Sequence, residues 1–229
     1  MADLRELTAG GVRLAYRVSG PAGAPALVFL HALGETGADW SAVTAHLSRG
    51  FRCYALDLRG HGESEWPGRY SVELMRDDLW ASLSALGLDR VGLIGHSLGG
   101  MVATLAAMDR PERVDRLVLE DPPPLRPAVP PREVPPRPPE PLGFDWAVVP
   151  ALTPQRNLPD PAWWDGLIRI TAPTLVVAGG PDSHLPQDQI AEMAARIPES
   201  RLVTIPAGHL VHATRPAEFR AVVEDFLGT

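Results

Sequence analysis

The sequence predicts an α/β fold, a mostly parallel central sheet flanked by helices, and two patterns carry that expectation. Short, almost wholly apolar runs bounded by Gly, Pro or Asp recur at residues 26–31, 53–58, 91–95, 116–121, 174–178 and 201–205. Strands read this way when helices cover both faces of their sheet. Between the runs lie helix-like patterns at 38–48, 72–86, 98–108, 187–196 and 216–227. Strand and helix in alternation imply parallel pairing with right-handed crossovers.

Individual elements have their own signals. Residues 11–18 alternate Val12, Leu14, Tyr16 and Val18, which suits an antiparallel entry strand. The last helix opens with Pro216 and repeats apolar residues at Phe219, Val222, Val223 and Phe226. One region breaks the rhythm, because 15 of the 25 prolines fall between Pro122 and Pro161. Proline removes backbone donors and resists helix and sheet, so extended, polyproline-like turns are expected there. Phe144, Trp146, Val148, Val149, Leu152, Trp163 and Trp164 nevertheless need a surface to pack on. Residues 122–171 therefore read as an ordered lid inserted within one domain of residues 1–229. A disordered loop over 122–141 is the competing reading.

Composition narrows the class. The chain has 229 residues, 45% hydrophobic and 21% charged, which suits one globular domain. A formal charge of -7 offers no cationic face for phosphate backbones or anionic lipid, so nucleic acid and membrane are not expected partners. No run approaches the roughly 20 apolar residues of a membrane span. The first six residues carry acids and no apolar stretch, unlike a secretory signal. Cys53 is the only cysteine and lies in an apolar run, which excludes an internal disulfide and a multi-cysteine metal site. A core role for Cys53 and a cytoplasmic setting follow as expectations.

The chemistry centres on Gly95-His-Ser97-Leu-Gly99, a G-x-S-x-G pattern set between a strand and a helix pattern. A sharp strand-to-helix turn needs glycines beside the serine and presents its oxygen at a helix N-terminus. Ser97 is thus the candidate nucleophile, and a serine needs a base. His209 follows the run at 201–205 and reaches the carboxyl edge of the sheet, where loops distant in sequence share one crevice. Asp182, in the loop after 174–178, is the favoured acid and gives the chain order Ser, Asp, His. Asp121 or Glu120, closing the run at 116–121, is the rival. Backbone N–H groups of Leu98 and Leu33 are the expected oxyanion donors.

Five motifs in this order resemble the α/β-hydrolase superfamily, specifically its small bacterial esterase-like members with a short Pro-rich cap. They are residues 31–40, 57–64, 95–100, Gly179-Gly-Pro-Asp182 and Gly208-His209. The resemblance implies Ser97, Asp182 and His209 as catalytic, with Leu33 and Leu98 forming the oxyanion hole. Ala32 stands where relatives usually have glycine. His31, Leu142, Phe144, Trp146, Trp163, Trp164 and His184 are candidate pocket walls.

The leading expectation is a serine hydrolase acting on a small to medium carboxylic ester, thioester or lactone, with a small-molecule substrate and no metal or organic cofactor. C–C bond hydrolysis, acyl transfer or a non-hydrolytic step on the same residues is the second reading, because function belongs to the site rather than the fold. A catalytically inactive ligand-binding protein is the third. The sequence assigns no oligomeric state.

Overall fold

A computed structural model describes residues 2–228; Met1 and Thr229, the ends of the expected domain, lie outside them. The eight strands are β1 (Asp3–Ala9), β2 (Val12–Ser19), β3 (Ala26–Leu30), β4 (Arg52–Leu56), β5 (Val91–His96), β6 (Val114–Glu120), β7 (Thr174–Ala178) and β8 (Ser200–Thr204). They form one sheet in the order β1-β2-β4-β3-β5-β6-β7-β8. The pairs β1–β2 and β2–β4 are antiparallel and the rest are parallel. The winding direction reverses between β3 and β5, and a crevice opens at such a reversal above the carboxyl ends of the strands.

The apolar runs are continuous because each strand feeds two cores. Val28, Leu30, Leu93, Leu117, Leu119 and Val176 face one cluster. Their neighbours Leu27, Phe29, Ile94, Val118, Leu175 and Val177 face the other. The first core is completed by α2 (Val72–Ala85) and α3 (Leu98–Asp109), the second by α1 (Ser41–Leu47) and α8 (Pro216–Leu227). Helix α3 is buried on nearly every side, so it carries no amphipathic stripe. Two further helices follow the insert: α6 (Gln187–Arg196) packs below β7 and β8, and α7 (Val211–Thr214) precedes α8; none of the described helices is long and apolar enough to cross a membrane.

Strand β1 lacks the expected apolar signature. Its residues are mostly exposed and three of the seven are charged, as an edge strand tolerates. Pairing is set instead by Gly10 and Gly11, whose φ values of 59° and 81° build a two-residue hairpin turn between Ala9 and Val12.

The segment between β6 and β7 departs from an all-extended chain. It contains α4 (Val148–Asn157) and α5 (Ala162–Gly166). Pro150 lies in the first turn of α4, where its missing N–H costs nothing, while Pro154 sits inside the helix. Burial of Val148 and Leu152 against the core offsets that defect. Around 122–147 the chain runs without helix. Asn157 holds it at the far end, accepting from the Arg132 N–H at 2.8 Å and donating to the Arg132 carbonyl at 2.9 Å.

The loop at 57–64 braces the near end of the insert. Gly62 donates to the Gly143 carbonyl at 2.9 Å, and Asp145 to the Gly60 carbonyl at 2.7 Å. At the base of this loop the fully buried Asp57 accepts from the Gly37 N–H at 2.7 Å, the Glu63 N–H at 3.0 Å and the Arg17 guanidinium at 2.8 Å. Replacing it by alanine strands the buried Gly37 N–H, the Glu63 N–H and a half-buried cation. Asp57→Ala should lower the unfolding free energy by about 3–5 kcal/mol, read from urea denaturation midpoints at unchanged slope.

Candidate active site

Ser97 joins β5 to α3 with φ 49° and ψ −110°, a conformation costly for a residue with a side chain. Two close approaches impose it. A Cβ on Gly95 would lie 2.4 Å from the Gly99 carbonyl oxygen, and one on Gly99 would lie 2.2 Å from that of Leu30. The Gly99 N–H also donates to the His31 carbonyl at 3.0 Å, which ties this turn to the loop following β3. Ser97 itself is half-buried. Directly after it, Leu98 opens α3, where the first N–H groups have no partner inside the helix.

His209, in the loop after β8, meets a carboxylate, but not the one favoured from sequence. Its Nδ1 donates to Asp121 Oδ2 at 2.6 Å. A carboxylate only accepts, so Nδ1 carries a proton, and in the neutral ring Nε2 is then the acceptor, the tautomer a general base requires. Asp121 follows β6 at φ 38°, fully buried. Three more donors surround it: the Gly179 N–H at 2.9 Å, the Gln187 amide at 3.1 Å and the Ser183 hydroxyl at 2.5 Å. Burial alone would raise its pKa, but the His209 bond and these three outweigh burial and lower it.

Asp182 is exposed in the turn after β7. The Gly179-Gly-Pro-Asp182 motif still serves the site, because Gly179 and the neighbouring Ser183 both donate to Asp121. Glu120, the other rival, has a different partner: it accepts from the His212 N–H at 2.8 Å and from His212 Nδ1 at 2.8 Å. Glu120 is the last residue of β6 and Asp121 turns out of the strand at a positive φ, which separates the two carboxylates.

A second histidine supports the loop of His209. The buried His96 places Nε2 2.8 Å from the His209 carbonyl and Nδ1 3.3 Å from Glu35 Oε2. Burial opposes a charge on His96, yet Glu120 and Glu35 outweigh it and raise the pKa. Glu35 also accepts from the Ala32 N–H at 3.4 Å, so one chain of contacts links the loop after β3 to the loop of His209. The group His96, Glu120 and His212 has donor atoms within 4.8 Å of one another and could hold a cation. All three residues already bond to protein partners, which suits a structural role.

Ser97, Leu33, Leu98 and His209 share one cavity of about 340 Å³, together with Glu35, Met101, Val149, Leu152, Arg156, His184, Leu185 and Leu210. It lies at the reversal point between β3 and β5. Of the expected walls, only His184 is there, its ring edge-on to His209 at 4.4 Å. His31 is buried beneath, with Nδ1 2.7 Å from the Ala32 carbonyl and Nε2 accepting from the Leu58 N–H at 2.9 Å. Phe144 stacks on His61 at 5.5 Å and Trp146 packs beside Phe144. Trp163 lines a separate cavity of about 410 Å³. Trp164 is held by its Nε1–H to the Leu125 carbonyl at 2.6 Å and by the Arg126 guanidinium over its ring. Leu142 is half-buried and outside the cavity lining. These aromatics therefore fasten the insert to the body rather than wall the cavity. Val149, Leu152 and Arg156 reach it instead, because one face of α4 covers it, and no sequence signal distinguished a helix there.

Comparison with known proteins agrees with the fold. A model of the family described as "alpha/beta hydrolase fold" matches residues 25–161. The chain belongs to the α/β-hydrolase fold family. A crystal structure of a hydrolase from Pseudomonas aeruginosa superposes with a TM-score of 0.86 at 31% identity, covering 99% of each chain. The sn-1-specific diacylglycerol lipase of Mus musculus is 28% identical over 99% of this chain and 87% of that protein. An uncharacterized protein of Mycobacterium bovis is 41% identical over 113 residues, 49% of this chain but only 33% of its own length. The chain thus spans about a third of the mycobacterial relative that it matches.

Burial first, and then the nearby His61, push the His31 pKa down to about 3 from 6.5. The folded form keeps this ring neutral while the unfolded chain takes up a proton below pH 6.5. Its contribution to stability is complete above pH 6.5 and falls as pH drops toward 3. His31→Gln should flatten the acid limb of stability by up to about one proton, or ~1.4 kcal/mol per pH unit between pH 6 and 4. Denaturant titrations across that range measure it.

Proposed function

We propose that Ser97, His209 and Asp121 form a catalytic triad that hydrolyses a small to medium carboxylic ester, thioester or lactone. One observation carries the reading: the 2.6 Å bond from His209 Nδ1 to the buried Asp121, beside a strained serine that lines the same cavity. Ser97 Oγ attacks the carbonyl carbon while His209 Nε2 takes its proton. The backbone N–H groups of Leu98 and Leu33 receive the developing oxyanion. Collapse breaks the bond to the alcohol or thiol, which leaves with the proton from His209. Water, activated by the same imidazole, then releases the acid and frees Ser97.

Asp121 keeps the imidazole in one tautomer and stabilises its charged form. Its lowered pKa keeps it ionised across the range in which a histidine base works. The cavity volume and its Leu, Met and Val walls suit a partly apolar acyl group. Residues 122–171 act as a short lid that contributes one wall through α4.

A fluorophosphonate probe should label the wild-type protein and not Ser97→Ala; absence of labelling would remove the nucleophile from the scheme. Asp121→Asn should lower kcat on nitrophenyl butyrate by about 10⁴-fold, since it leaves the imidazole in the wrong tautomer. Asp182→Asn should stay within about threefold, as an exposed side chain without a bond to His209. The reverse order of these two effects would return the role to Asp182.

A further inference from the structure

The catalytic cavity contains a cation with no counter-charge. Arg156 on α4 is half-buried, and its guanidinium makes no hydrogen bond or ion pair among the described residues. Its carbonyl accepts from the Arg132 guanidinium at 3.0 Å. Glu35, the acid lining the same cavity, is engaged by His96 and the Ala32 N–H instead. Arg126, which lines the neighbouring cavity, is by contrast paired with Glu192 at 2.5 Å.

The charged neighbour that acts on Arg156 is another cation. Burial first, and then Arg132, lower the Arg156 pKa. A guanidinium remains charged even so, because it cannot be deprotonated at ordinary pH. Burial, then His209, lower the pKa of His184, and Arg156 adds to that shift. Removing a guanidinium from water without a partner is unfavourable, and a bound anion would reverse the deficit. The fork of donors on arginine matches a carboxylate or phosphate through two parallel bonds. Arg156 also borders a second cavity of about 420 Å³ along the Pro-rich chain, lined by Arg126 and Arg132 and sharing Pro123 and Leu185 with the first. A substrate could therefore extend past Arg156 without leaving the protein.

We propose that Arg156, with His184 beside it, binds an anionic group of the substrate, so that the ester or thioester presented to Ser97 carries a carboxylate or phosphate at its far end. This rests on the acyl-enzyme reading for Ser97 but adds a recognition element that is independent of the triad. His184 contributes a ring N–H to the anion and sits one ring away from His209.

Three assays test it. Rates on nitrophenyl hemiesters of succinate, glutarate and adipate are compared with nitrophenyl butyrate, which places the charge on the acyl side. The acetyl thioester of phosphopantetheine, compared with an uncharged acetyl thioester, places it on the leaving group. Calorimetric binding of glutarate and of inorganic phosphate needs no turnover. At least one anionic series should exceed its neutral partner in kcat/KM by tenfold or more. Arg156→Gln should reduce that ratio by about 10²-fold, and Arg156→Lys by less. The series that responds identifies the side on which the charge lies.

Turnover of neutral esters with no anionic preference, and no effect of Arg156→Gln on either ratio, would overturn the anion site and leave the esterase reading intact. Binding of glutarate or phosphate that is lost in Arg156→Gln, in a protein that neither labels at Ser97 nor turns over any ester, would do the reverse. Neither preference nor anion binding would remove the proposal whatever the fate of Ser97.

Discussion

The site is organised by one buried carboxylate. Asp121 has no access to solvent, so every lone pair it directs inward has to meet a donor. Those donors come from His209 after β8 and from Gly179, Ser183 and Gln187 beyond β7. Three segments of chain are thereby held at one edge of the sheet. The close approach of Gly179 to the Gly208 carbonyl, which leaves no room for a side chain, presses the loops together and completes the enclosure.

The same edge stores strain on the serine side. A positive φ at Ser97 persists because the turn is wedged between Leu30, Gly99 and the loop after β3, where a Cβ cannot fit. Glu35 and His96 then couple that loop to the backbone of His209. Ser97, His209 and the loop that carries Leu33 are thus positioned by a shared framework, and each adjusts only at the expense of its neighbours.

The insert between β6 and β7 divides its labour. Its aromatic residues anchor it to the loop at 57–64 and to the first core, while the face of α4 that carries Val149, Leu152 and Arg156 covers the cavity. Proline restricts the chain leading into that helix, which lowers the entropy lost on ordering a segment with little core of its own. An unpaired arginine is tolerable in such a wall only where an anion or water can reach it.

Read alone, the amino-acid sequence was sufficient for the parallel sheet, the helices that flank it, the turn at Ser97 and the placing of His209 in the loop after β8, because continuous apolar runs, glycine spacing and chain order are local properties. It missed β1, whose pairing depends on a glycine hairpin rather than on hydrophobicity. It also favoured Asp182 over Asp121. Both lie at the carboxyl edge, and only packing distinguishes them: Asp121 leaves β6 into a buried ring of donors, whereas Asp182 lies three residues farther out in an exposed turn. The cavity walls were decided in the same way. The direction in which a tryptophan or an arginine of the insert points is set by where α4 docks, and that docking is a contact between segments far apart in the chain.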